Sequence, residues 1–233
     1  MRAYRPLLAK ELRALFFAPM AWSVMAIYLL LTGYAFSSWL IIGQTTSLAR
    51  VVQQSAMLLV LFVPLITMRA FAEERQRRTL ELLLATPASE ASLVLAKFTA
   101  SLAICLVMLL PTLIYPWLLA QFGQPDWGPV HGGYLGLVLL AMALNAIGVA
   151  FSAWSSNQIT AAIASLGCGL GLWALEALAR LLPDPFDVFV VNLSLAAHLT
   201  PLSIGIVYPS DVGYFLSLTG LALVLAVQGL ERP

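Results

Sequence analysis

Six apolar runs, each long enough to cross a bilayer, fix the fold class of this chain before any motif is considered. They cover residues 20–42, 51–68, 93–119, 133–154, 159–182 and 212–230, and each approaches the roughly 20 residues that a helix needs to span hydrocarbon. Backbone groups in lipid have to find partners within their own segment, and the runs lack the alternation of a membrane barrel strand. The sequence therefore predicts an all-α polytopic membrane protein with six transmembrane helices in one domain, residues 1–233. A hydrophobic share of 61% and a mean hydropathy of +0.92 exclude an ordinary soluble domain.

Six crossings place both termini on one side. Arg2, Arg5, Lys10, Arg13, Arg69, Arg75, Arg77, Arg78, Lys97 and Arg232 fall on that side, against Arg50 and Arg180 on the other, so the termini are expected to be cytoplasmic. Within residues 1–18, Tyr4, Leu7, Leu8, Leu12, Leu15 and Phe16 recur at helical spacing while Arg5, Lys10 and Arg13 stay off that stripe. This predicts an amphipathic interfacial helix lying flat on the inner leaflet. The run at 20–42 exceeds the apolar core of a signal peptide and reads as a permanent span. Because the basic residues are sorted by membrane side and form no stripe, no nucleic-acid partner is expected.

Between the second and third runs lies a polar elbow, residues 69–90, containing Glu73-Glu74-Arg75-Gln76-Arg77-Arg78-Thr79-Leu80-Glu81-Leu82-Leu83-Leu84-Ala85-Thr86-Pro87-Ala88-Ser89. Such charge does not sit in hydrocarbon, where each unpaired Arg or Glu costs about 3 kcal/mol or more. Helical continuation would align Arg69 with Glu73, Glu74 with Arg78, and Arg77 with Glu81. Those pairs do not explain Leu80, Leu82, Leu83 and Leu84, and leucines exposed beside charges point to a protein partner. Pro87 closes this short helix or opens the next, Ser89 is placed to cap the third span, Glu90 complements its dipole, and Lys97 lies within reach of the inner headgroups.

Glu73-Glu74-Arg75 followed by Thr79-Leu80-Glu81-Leu82-Leu83-Leu84-Ala85-Thr86-Pro87 resembles the signature of type-2 ATP-binding-cassette (ABC) exporter permeases. The chain is similar in particular to the small six-span permeases of gliding-motility and copper-enzyme-maturation systems. The resemblance implies that the elbow is a cytoplasmic coupling helix touching an ABC ATPase subunit. It assigns ATPase coupling to Glu73, Glu74, Arg75, Arg78, Thr79, Glu81, Leu82, Leu83, Thr86 and Pro87. It also implies a second permease copy, as a homodimer or a paired homologue, and a multi-pass location in the cell inner (cytoplasmic) membrane. ATP and Mg²⁺ are then expected in the partner ATPase, with no cofactor bound by this chain. Consistently, Lys10 and Lys97 are the only lysines and neither follows a glycine-rich phosphate loop, so the chain is not expected to be an enzyme. One departure is Arg78, where the family commonly has glycine, which predicts a tighter or more helical turn.

Glu176 and Arg180, one helical turn apart near the outer end of span five, read as an intramembrane charge pair, either mutually neutralising or part of an outer gate. Gly167 with Gly171, and Gly132 with Gly136, are small-xxx-small pairs that allow close approach within the subunit or across a dimer. Pro64, Pro111 and Pro116 predict kinks in spans two and three. The external loop, residues 183–211, is broken by prolines and is expected to form a cap, with 192–200 apolar enough to re-enter. His131 and His198 read as interface residues, Cys105 and Cys168 as packing residues, and no metal site is expected. Two functions follow: an exporter permease driven by a separate ATPase, or a mechanotransmitting subunit that passes the ATPase's motion to a periplasmic or external partner without moving a solute.

Overall fold

The computed structural model describes residues 4–43, 48–80, 88–122, 126–183 and 185–231, and within them every regular element is helical. Helix α1 (Tyr4–Phe16) leads into the first crossing, α2 (Pro19–Gly43), and α3 (Ala49–Thr67) makes the second. The short α4 (Ala72–Gln76) begins the elbow. The third crossing is α5 (Glu90–Leu109), a 3-10 turn (Leu110–Leu113) and α6 (Ile114–Phe122). Helices α7 (Trp127–Trp154) and α8 (Gln158–Ala179) make the fourth and fifth, and α9 (Phe186–Val191) and α10 (Leu195–Ser203) precede the sixth, α11 (Pro209–Glu231). Six helices among the described residues are long and apolar enough to cross a membrane, matching the six runs.

Capping follows the sequence. Ser89 Oγ accepts the Ser92 N–H at the start of α5, and Asn157 Oδ1 accepts from Thr160 N at 2.9 Å to open α8. Pro111 sits in the first turn of the 3-10 segment, where its missing N–H breaks the third crossing into two pieces.

Helix α7 is the hub. Of its apolar window 78% is buried, against 17% for α8 and 28% for α11. Small residues make this approach feasible. A Cβ on Gly132 would stand 2.5 Å from the Leu202 carbonyl oxygen, and one on Gly148 would collide with the Thr67 side chain. Gly132 and Gly136 thus pack within the subunit, whereas a Cβ at Gly167 or Gly171 meets nothing within 4 Å.

The loop after α8 does more than cap the bundle. Leu195, Leu199 and Leu202 of α10 are buried in the main core beside Val52, Leu137 and Phe215, so α10 packs into one end of the bundle. It ends at Gly205, whose φ of +89° lets Ile206 N donate to the Pro201 carbonyl at 3.0 Å and reverses the chain.

Candidate functional site

The elbow begins where α3 runs out. Ser152 of α7, fully buried, donates to the Met68 carbonyl at 3.0 Å and accepts the backbone N–H groups of Phe71 at 2.9 Å and Ala72 at 3.0 Å. One hydroxyl thereby satisfies the last turn of α3 and the first turn of α4, groups that would otherwise be orphaned in an apolar setting. Phe71 and Ala72 are themselves buried, so the hinge is anchored in the hub.

Helix α4 then stops within two turns. Arg78 N donates to the Arg75 carbonyl at 3.1 Å and Thr79 N to the Glu74 carbonyl at 2.9 Å, the paired bonds of a Schellman ending. The ending puts Arg78 at φ +57°, the left-handed region that favours glycine. The turn is therefore tight, and α4 does not continue through Arg78. Consequently Arg78 swings away from Glu74, and their expected ion pair does not form.

Glu74 turns inward. Its Oε1 lies 2.8 Å from Lys97 Nζ on α5, and Lys97 also reaches Glu11 Oε2 of α1 at 3.2 Å. The ammonium sits 5.1 Å from the centre of the Phe71 ring. Lys97 is only 4% exposed, which corrects the expectation that it reaches the headgroups: two carboxylates and a ring face hold it inside. Glu74 lies on the elbow, beyond the end of the second crossing, and burial pushes its carboxyl up from its ordinary value while Lys97 pulls it back. A buried ion pair of this kind contributes little net stability but strongly penalises loss of one partner. It makes α1, the elbow and α5 one unit, reinforced by the Tyr4 hydroxyl on Thr99 Oγ1 at 3.0 Å.

The other elbow charges divide by direction. Arg77 pairs with Glu73 at 2.7 Å, in place of the expected Arg69 with Glu73. Arg75 donates to the Gly229 carbonyl of α11 at 3.2 Å. Gln76, Arg77, Arg78 and Thr79 form the exposed tip. Leu80 is buried against Val94, Phe98 and Ala146, which corrects its reading as an exposed leucine. Glu81, Leu82, Leu83, Leu84, Thr86 and Pro87 lie outside the described residues, as does the Arg77 with Glu81 pairing.

An elbow between the second and third of six crossings, braced on three of them, is now in view together with a family model for ABC-2 family transporter proteins that matches residues 51–227. The chain belongs to this ABC-2 family. It is a transmembrane subunit of an ABC transporter, a multi-pass permease and not the ATPase, and the family implies an ABC ATPase partner. A comparison with curated proteins found no match.

At the far end of this ABC-2 permease, Glu176 and Arg180 pair at 2.8 Å with Arg180 largely exposed, beside a cavity lined by Gln53, Trp173 and Thr200. His198 of α10 is held on both ring nitrogens: Nδ1 lies 2.8 Å from Asp211 Oδ1 and Nε2 3.0 Å from the Asn192 carbonyl, and the ring stacks on Tyr214 at 4.0 Å. Among the described residues no group of three or more His, Cys, Asp or Glu could hold a metal ion. Cys105 is buried and Cys168 half-buried, both free.

Ser152, Glu11 and Lys97 escaped the sequence reading of the site. For Ser152 the only signal was a hydroxyl within an apolar run. For Lys97 it was a cation set one turn inside a span, which calls for a carboxylate partner that spacing alone does not name.

Proposed function

We propose that this permease is the membrane subunit of an exporter, with ATP and Mg²⁺ bound by a separate ATPase and two permease copies facing two ATPases. The observation that carries this reading is the bracing of the elbow. Its exposed tip stands on a base hydrogen-bonded to α7 through Ser152, to α5 and α1 through Glu74, Lys97 and Glu11, and to α11 through Arg75. In this reading a push on such a tip reaches four helices through these contacts. The tip with Glu81, Leu82, Leu83, Thr86 and Pro87 forms the contact in this reading, and Glu73, Glu74 and Arg75 support it from behind. The elbow end is cytoplasmic, as the sorting of Arg5, Lys10, Arg13, Arg69, Arg75, Arg77 and Arg78 favours, and the membrane is the inner one.

The test is co-purification with the ATPase and its hydrolysis rate. Reversing Arg77 and Arg78 to Glu is expected to weaken ATPase capture by at least about tenfold, the scale of losing two interfacial charge contacts, with membrane insertion unchanged. Full capture and full hydrolysis by that variant would refute the assignment of the tip.

A second reading, transmission of force to an external partner, is favoured by the far-end surface. Phe186, Phe189 and Leu181 are 64%, 69% and 81% exposed around α9. Transport of solute into sealed vesicles by the purified complex separates the two.

A further inference from the structure

At the end opposite the elbow, one imidazole ties the segment between the fifth and sixth crossings to the head of α11. Nδ1 of His198 lies 2.8 Å from Asp211 Oδ1, and Nε2 lies 3.0 Å from the carbonyl of Asn192, which closes α9. The ring stacks on Tyr214 of α11, whose hydroxyl donates to the Leu193 carbonyl at 2.6 Å. Little of this is open to solvent: the His198 and Asp211 side chains are 15% and 7% exposed.

The two partners fix the proton count of the ring. A backbone carbonyl only accepts, so Nε2 carries a proton. A carboxylate also only accepts, so either Nδ1 carries a second proton or the carboxyl holds it and donates it to Nδ1. In both forms the pair keeps one proton more than a neutral imidazole beside a carboxylate. Asp211 stands in the first turn of α11, where the helix dipole favours the anion, so imidazolium and carboxylate is the favoured form. Asp211 Oδ2 is buried without a hydrogen-bond partner among the described residues, and the imidazolium is the charge that compensates this anion.

The other titratable groups on the elements packed around α10 are engaged elsewhere. On α8, Glu176 and Arg180 pair with each other beside Ala196 and Thr200. On α7, Tyr134 donates to the Thr112 carbonyl and His131 to that of Trp127, and on α3 Arg50 lies over the Trp39 ring. Among the described residues, neither Asp187 of α9 nor any other charged group comes within ion-pair distance of His198 or Asp211.

We propose that His198 and Asp211 form a proton-operated clasp that fastens α9 and α10 to the head of the sixth crossing. When the shared proton leaves, the Nδ1 lone pair faces a carboxylate oxygen across 2.8 Å, and two acceptors with no hydrogen between them part. The closed clasp holds the proton more tightly than the open one, so closure is favoured as this side of the membrane acidifies and is lost as it becomes alkaline.

The test uses the full chain in detergent with ¹⁵N-labelled histidine, carrying His131→Gln so that one imidazole remains. Imidazole ¹⁵N spectra and amide hydrogen–deuterium exchange are followed from about pH 5.5 to about pH 9, a range that brackets an ordinary histidine, with exchange rates corrected for their intrinsic pH dependence. At the acid end both ring nitrogens are expected to carry protons. As the Nδ1 proton is lost, exchange at Leu193, Ser194 and His198 is expected to accelerate by at least about tenfold, the scale of one charge-assisted hydrogen bond. In Asp211→Asn the carboxamide donates to a neutral Nδ1 and closes the clasp without the extra proton, so exchange becomes flat with pH, an outcome that a merely structural contact would not give. His198→Gln has nothing to titrate and is also expected to be flat. A ring that carries a single proton, or two, throughout the range overturns the proposal, as does corrected exchange that ignores the titration. A pH dependence that persists in Asp211→Asn and His198→Gln overturns it as well.

Discussion

Replacing Ser152 with alanine tests the claim that the elbow is anchored in the hub. The substitution removes one oxygen and leaves two buried N–H donors, on Phe71 and Ala72, and one carbonyl, on Met68, without their partner. An orphaned buried donor costs about 1–3 kcal/mol, so two give about 2–6 kcal/mol. Water entering from the cavity of about 370 Å³ between α1, the end of α3, the elbow and α5 relieves part of this, which places the expected loss near the lower end. Because the damage is confined to the junction of α3 and α4, it shows as local opening more than as global unfolding. Hydrogen–deuterium exchange on the purified chain is expected to accelerate at Phe71 and Ala72 by at least about tenfold, with α7 itself unchanged. In complex with the ATPase, the same variant should capture its partner normally yet show weakened coupling, since the tip is intact and its footing is not. Ser152→Cys, with a weaker donor and acceptor, should fall between. Unaltered exchange at Phe71 and Ala72 in a folded Ser152→Ala chain would refute the reasoning.

Lys97→Met leaves Glu74 without its cation and Glu11 with only Lys10 at 3.9 Å, and should destabilise the detergent-solubilised chain by about 3–5 kcal/mol in thermal unfolding, while adding Glu11→Gln and Glu74→Gln recovers most of the loss. Arg78→Gly removes a left-handed strain and should stabilise the chain by about 1 kcal/mol while weakening ATPase capture; stability and binding moving together would contradict the geometry. Gly148→Val drives a side chain into Thr67 and should abolish folding, judged by size-exclusion profile. Gly167→Val meets no neighbour within the subunit and should change its stability by no more than about 0.5 kcal/mol, so any large effect reports a contact made by another chain.

The crossings were legible because hydrocarbon leaves the backbone few choices, and the hydropathy of each run carries that constraint directly. Ser89 as a cap was legible for the same local reason. The charge pattern of the elbow misled, since the spacing of Glu74 and Arg78 presumes a helix that continues, and the Schellman ending stops it at Arg77. The glycine expected at position 78 was itself the clue: at the corresponding place after α10 the chain does use Gly205, at φ +89°. Glu11, Glu74 and Lys97 meet from positions far apart in sequence, and no periodicity within one segment encodes such a meeting. Lys97 looked like a headgroup anchor because its depth alone was visible, not what stood opposite it. That 192–200 would be apolar enough to pack was readable from its composition, whereas the close approach of α10 to α7 depended on glycines of α7 that lie more than sixty positions earlier.

The footing of the elbow also sets an order of assembly during synthesis. When the ribosome has delivered the first three crossings, the amides of Phe71 and Ala72 still lack their acceptor, because Ser152 arrives about 80 residues later. Arg75 waits longer still, for a carbonyl at Gly229 in the last turns of the chain. A nascent or truncated permease therefore presents a tip whose footing stays unfinished until the sixth crossing is in place.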